Sequence, residues 1–96
     1  MSLRFEWDTA KATANSWKHG VGFDEASTVF SDPLAVIFDD DRHSQEEHRE
    51  IIIGHSIRDR LLVVAFTERR ATLVRIISAR KATKRERAEY EEGTDR

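Results

Sequence analysis

Six consecutive apolar residues, Leu61-Leu62-Val63-Val64-Ala65-Phe66, constrain this chain more than any other feature. The run is far shorter than the ~20 apolar residues of a membrane-spanning helix. It ends in the polar Thr67-Glu68-Arg69 and reads as a strand over residues 61–69. Its neighbours match it. Residues 49–56 contain Ile51-Ile52-Ile53, and residues 72–80 are rich in β-branched side chains. The connections 57–60 and 70–71 are short, so the three strands are expected to form an antiparallel meander. A shorter apolar strand is expected at 34–38, followed by a polar loop over 39–48.

The N-terminal third has a different period. Leu3-Arg4-Phe5-Glu6-Trp7 alternates like a half-buried strand. Asp8 is a natural N-cap for a helix running to His19, and Gly20 suits the positive φ that ends one. A second helix follows at once, with Gly22 as N-cap and Glu25 at the capping-box position. Phe23, Ala26, Val29 and Phe30 share its inner face, and Asp32-Pro33 stops it. Thr83 and Glu86 form a capping box for a last, highly charged helix ending near Tyr90. The order is strand, two helices, four strands, one helix. It predicts an α+β domain with a mainly antiparallel sheet and its helices on one face.

A chain of 96 residues is read as one domain spanning 1–96, with flexible ends at 1–3 and 91–96. No cysteine is present, which removes disulfides and thiolate metal sites. With no signal-peptide pattern either, the expected location is the cytoplasm. A net charge of −2 conceals a polarity. Residues 1–41 carry three Lys/Arg against eight Asp/Glu, whereas residues 69–90 carry eight against two. A basic third within an acidic protein is a local footprint for a polyanion.

The chemistry-bearing residues are few. Lys18 and His19 stand together at a helix C-terminus, where they either complement the helix dipole or supply a cation and a proton carrier. Alternation puts Thr67 and Arg69 on one face of their strand and Glu68 on the other. Arg75 sits among Leu73, Val74, Ile76 and Ile77. It is read either as a phosphate fork or as the partner of a carboxylate such as Glu50 or Glu68. Arg80, Lys81 and Lys84 open a basic helix start that attracts a phosphate backbone without reading bases. His43 and His48, with Glu46 and Glu47 between them, lack the spacing of a helical metal motif, so no metal and no cofactor are expected.

Taken in order, these segments resemble the BrnT family of toxins. The N-terminal half of the resemblance is Phe5-Glu6-Trp7-Asp8, Lys11, Asn15, Lys18-His19-Gly20-Val21, Phe23, Glu25-Ala26, Val29-Phe30 and Asp32-Pro33. The C-terminal half is Gly54, Ser56, Arg60-Leu61-Leu62-Val63-Val64, Thr67-Glu68-Arg69, residues 75–80, Ala82, Glu86-Arg87 and Tyr90. Ser16, Trp17, the 39–48 loop and Asp59, which stands where glycine is usual, depart from it. The resemblance implies a RelE-like fold and a toxin that cleaves RNA without metal, inhibits translation and arrests growth. It also implies a BrnA-like ribbon-helix-helix antitoxin, two toxins per inhibited complex, and operator DNA contacted only through that antitoxin.

Metal-free RNA cleavage needs a base, a phosphorane clamp and an acid. On this reading Arg69 and Arg80 clamp the phosphate, and Arg75 is a possible third cation. Lys18 or His19 moves the proton, with Glu68 as runner-up base. Thr67, Arg75, Lys81 and Lys84 complete the RNA-binding set. The alternative is a non-catalytic co-repressor module acting with the ribbon-helix-helix partner.

Overall fold

A computed structural model describes residues 2–94. Its elements are β1 (Arg4–Glu6), α1 (Thr9–His19), α2 (Phe23–Thr28), β2 (Val36–Asp39), β3 (Glu50–His55), β4 (Leu61–Arg70), β5 (Leu73–Lys81) and α3 (Lys84–Thr94). Short 3-10 turns follow α2 at Val29–Ser31 and β2 at Asp41–His43. One five-stranded sheet runs in the order β1-β5-β4-β3-β2. The meander β3-β4-β5 is antiparallel, as the sequence predicts, and β2 adds to β3 antiparallel as well. β1 is the exception: it pairs in parallel with β5, bringing Arg4 opposite Leu73 and Glu6 opposite Arg75. The sheet is therefore mixed.

The helix termini follow local chemistry. Asp8 accepts the backbone N–H of Lys11, and Gly20 ends α1 at φ 69°. Thr83 and Glu86 exchange the two reciprocal bonds of a capping box at the start of α3. α3 runs on to Thr94, past the end expected at Tyr90. At α2 the sequence reading needs correction. Gly22 receives no side-chain cap, because the Glu25 carboxylate turns instead to Arg60 and Ser56.

The two faces of the sheet carry different layers. Val21, Phe23, Ala26 and Val29 from the α1–α2 side pack on Ile52, Leu62, Val64, Phe66, Val74, Ile76 and Ala79. Asn15 joins α1 to β5. Its side-chain amide donates to the carbonyls of Ala79 (2.8 Å) and Val21 (3.0 Å), and its oxygen accepts the Ala79 N–H (3.1 Å). These bonds satisfy the β5 edge beyond the point where β1 stops. α3 lies on the opposite face. Tyr90 stacks edge-on to His55, donates to the Leu34 carbonyl, and lines a groove with Val36, Phe38 and Ile53. The expectation of all helices on one face is thus corrected. The reason is legible in β4, where Leu61, Leu62, Val63 and Val64 are all buried. A strand apolar on both faces needs cover on both.

Candidate functional site

The α3 face of the sheet carries a cleft. Its floor is Ile51, Val63, Ala65 and Ile77, and its walls carry Ser78, Arg80, Arg49, His43 and Asp40. Register explains the gathering. Val63 pairs with Arg80 and Ala65 with Ser78, so these side chains share a face. The β5 register then shifts, because Ala65 pairs with Ser78 but Phe66 with Ile76. Ile77 is the extra residue, and this bulge is what turns it onto the cleft floor.

Two of the polar wall residues, Arg80 and His43, are oriented by carboxylates. Arg80 makes a bidentate pair with Glu86, with Nη1–Oε1 2.7 Å and Nη2–Oε2 2.8 Å. The Arg80 hydrogen bonds hold the Glu86 carboxyl down at about 2 against an opposing burial effect, and the Thr83 N–H helps. The Arg80 side chain remains 40 % exposed, so the pairing fixes the guanidinium plane without burying the residue. His43 turns its Nδ1 to both Asp40 oxygens, at 3.1 and 3.0 Å. Donation from Nδ1 to that carboxylate leaves Nε2 as the free acceptor. Arg49 Nε is buried with no hydrogen-bond partner, and its nearest carboxylate is Glu47 at 3.8 Å.

The residues expected from sequence to form one clamp do not all meet here. Arg80 lines the cleft. Arg69 is the extra residue of a second bulge, between Glu68 and Arg70, so alternation does not carry through to it. Its Nη1 is 3.6 Å from Glu47, whose other carboxylate oxygen is 3.8 Å from Arg49 Nε, so Arg69 joins the Arg49 end of the cleft through Glu47 rather than lining it. Thr67 is 3 % exposed and donates its hydroxyl to the His48 carbonyl, so its task is to hold the 39–48 loop on the sheet. Arg75 pairs with Glu6 at 2.6 Å, rather than with Glu50 or Glu68. That partner was unforeseen because the parallel β1–β5 register was unforeseen.

Lys18 and His19 lie on the α1 side of the sheet, not in the cleft. Their end of α1 is nevertheless joined to the same rim of the molecule. Arg60 donates to the Gly20 carbonyl (3.2 Å), and the Ala82 N–H donates to the Leu61 carbonyl (2.9 Å). This rim therefore collects Lys18, His19, Arg58, Lys81 and Lys84. Among them Lys18, Arg58, Lys81 and Lys84 are exposed, and only His19 is half-buried.

The sequence reading also missed a buried carboxylate. Glu25, 7 % exposed, accepts from Ser56 Oγ (2.7 Å) and Arg60 Nε (2.9 Å), and closes a second contact with Arg60 Nη2. Arg58 approaches at 3.6 Å. The Arg60 hydrogen bonds dominate and keep the Glu25 carboxyl below its ordinary range despite burial. The cluster ties α2 to the β3–β4 turn. There Asp59 adopts φ 60°, the geometry for which glycine is usual. Glu25 flanks the inward face of its helix, and that position is the one signal that could have exposed it.

The chain matches the family model described as the ribonuclease toxin BrnT of type II toxin–antitoxin systems, over residues 7–86. It belongs to the BrnT family. The fold agrees with the 1.1 Å crystal structure of the Brucella abortus ribonuclease toxin BrnT. The TM-score is 0.66 at 24% identity, covering 86% of this chain and 100% of that one. No curated protein matches the chain. Among the described residues no helix is long and apolar enough to cross a membrane.

Proposed function

We propose that this BrnT-family chain is a RelE-like endoribonuclease toxin that cleaves RNA without a metal in the α3-side cleft. The supporting observation is that one open face brings together Arg80, Arg49 and His43 over an apolar floor. Arg80 and Arg49 hold the scissile phosphate and stabilise the phosphorane as charge builds on its oxygens. His43, with Asp40 on Nδ1, takes the 2′-hydroxyl proton at Nε2. The 2′-oxygen bonds to phosphorus, the bond to the 5′-oxygen breaks, and that oxygen takes a proton from water, while His43 returns its own to solvent. The lysine rim of Lys18, Lys81 and Lys84, with His19, draws the flanking backbone in. Arg69 meets a second phosphate along the strand, and the paired Arg75 remains a weaker contact. The toxin acts in the cytoplasm by arresting translation. A BrnA-like ribbon-helix-helix antitoxin neutralises it, two toxins joining each complex, with operator DNA reached only through that partner.

The test is RNA cleavage in chelator by wild type and by Arg80→Ala, Arg49→Ala, His43→Ala and Lys18→Ala proteins whose circular dichroism is unchanged. The first three are expected to lose about 100-fold or more, the scale of one acid–base or electrostatic group. Lys18→Ala is expected to lose little at saturating RNA and to raise KM mainly at low salt. Full activity in Arg80→Ala, or dependence on added metal, overturns the assignment. A second reading is favoured by one observation: Arg69, Arg75 and Arg80 are all already engaged by carboxylates. A non-catalytic co-repressor would tolerate that. It would cleave nothing, arrest nothing when expressed alone, and still shift operator DNA with its partner.

A further inference from the structure

We propose that Asp39, His48 and Glu50 form a divalent metal site, best suited to Zn²⁺, that locks the neck of the 39–48 loop. One ligand atom from each lies within 4.8 Å of the other two. His48 Nε2 already stands 3.0 Å from Asp39 Oδ1. Carboxylate oxygen and imidazole nitrogen are both ligand types that zinc accepts, and three of them leave a fourth position open to water. Tetrahedral bonds of about 2.0–2.2 Å place donors ~3.4 Å apart. The observed spread therefore closes by small rotations of the exposed Asp39 and His48 side chains.

Sheet register supplies an independent reason for a cation. Asp39 and Glu50 are direct cross-strand partners on β2 and β3. Like charges in that relation repel and destabilise the pair. Glu50, half-buried, has no ion pair among the described residues. A bridging dication converts the repulsion into coordination.

The backbone that carries the ligands is held in advance. Asp40 N–H donates to the Arg49 carbonyl (2.9 Å), and Arg49 N–H donates to Ser44 Oγ (2.9 Å). The Thr67 hydroxyl fixes the His48 carbonyl at 2.8 Å. The loop so closed bears His43 and ends at Arg49, both on the cleft wall. The metal is a structural brace for the neck of the loop and takes no part in cleavage, which proceeds in its absence. This role is compatible with metal-free chemistry and independent of it.

The experiment uses the full chain, purified in chelator and dialysed free of it. Zn²⁺ is titrated by calorimetry, and Co²⁺ by visible absorption as a report of tetrahedral coordination. One equivalent is expected to bind. His48→Ala and Glu50→Gln should each weaken binding by at least about 100-fold, above the 10–100-fold typical of losing an outer-shell partner. His43→Ala should bind as wild type. Amide exchange across residues 40–49 should slow when Zn²⁺ is added to wild type and not change in His48→Ala. No binding by wild type overturns the proposal. So does binding that survives both ligand substitutions or disappears in His43→Ala, which would move the site to Asp40 and His43. RNA cleavage plays no part in these readouts, so failure here leaves the ribonuclease reading standing, and the reverse.

Discussion

Replacing Glu25 by glutamine changes one charge and almost no volume, and it removes the centre of the α2–hairpin junction. Glu25 is the acceptor for Ser56 and for two nitrogens of Arg60. Glutamine keeps one acceptor oxygen and places a donor where the other stood, facing the guanidinium. Breaking a fully buried ion pair costs about 3–5 kcal/mol. The Arg60 side chain is 25% exposed and keeps the Gly20 carbonyl, so part of its charge stays solvated. About 2 kcal/mol is the expected loss, between that figure and the ordinary hydrogen-bond scale. For a domain of this size it lowers Tm by about 8–16 °C. The folded-state pKa of Glu25 is depressed, chiefly by Arg60. Its contribution is therefore complete above the ordinary value of 4.5 and fades as pH falls through the folded value. Urea unfolding of wild type and Glu25→Gln at pH 7 and pH 4 checks both parts. A difference under about 0.5 kcal/mol at pH 7, the level of an ordinary surface change, would refute the reasoning. A gap that widens on acidification would refute it too.

Three further outcomes are expected. Asn15→Ala leaves the Ala79 N–H and carbonyl without their partner, so it should cost about 2–4 kcal/mol in urea unfolding. Gly54→Ala puts a Cβ 2.8 Å from Ala35 Cβ and 3.1 Å from Val29 Cγ1. It should destabilise by about 1–3 kcal/mol, whereas Gly93→Ala, with nothing within 4 Å, should stabilise α3 by about 0.5–1 kcal/mol. In a carboxyl NMR titration Glu86 should show its midpoint at about 2. The stability gap between wild type and Glu86→Gln should stay flat from neutral pH down to near 4.5, then close as pH falls through about 2.

What the sequence disclosed, and what it hid, divides along a physical line. Caps, turns and strands are set by residues within a few positions of one another. Accordingly Asp8, Gly20, the Thr83–Glu86 box and the β3-β4-β5 meander were all foreseen. The parallel β1–β5 pair joins the two ends of the chain, and no local period encodes it. With it went the true partner of Arg75. α3 is too polar for its pattern to choose a sheet face, and the unbroken β4 run was the better guide. In the site, Arg80 was legible because a cation inside a strand is unusual. Arg49 and His43 were not, because a polar loop looks alike whether it floats or folds onto a sheet. Two bulges decided the rest: each adds one residue and reverses the parity on which face assignments for Ile77 and Arg69 depend.

The pairing of Arg80 with Glu86 bears directly on how the cleft would handle RNA. An arginine neutralised by a neighbour contributes little to long-range attraction, yet its five donors are fixed in direction, and two of its nitrogens are spent on Glu86. Long-range attraction falls instead to cations without carboxylate partners, and the exposed Lys18, Lys81 and Lys84 on the rim have none among the described residues. Attraction and chemistry are thereby assigned to different groups. The lysines act over a Debye length and are weakened by salt, while the fork acts only at contact and is not. If this division holds, salt should raise KM for RNA steeply and leave kcat nearly unchanged. Replacing the rim lysines should flatten the salt dependence without lowering kcat, whereas Arg80→Lys should lower kcat without changing the salt slope. A single shared profile for both sets of variants would mean that fork and rim act as one undivided patch, and the orienting role given to Glu86 would fall with it.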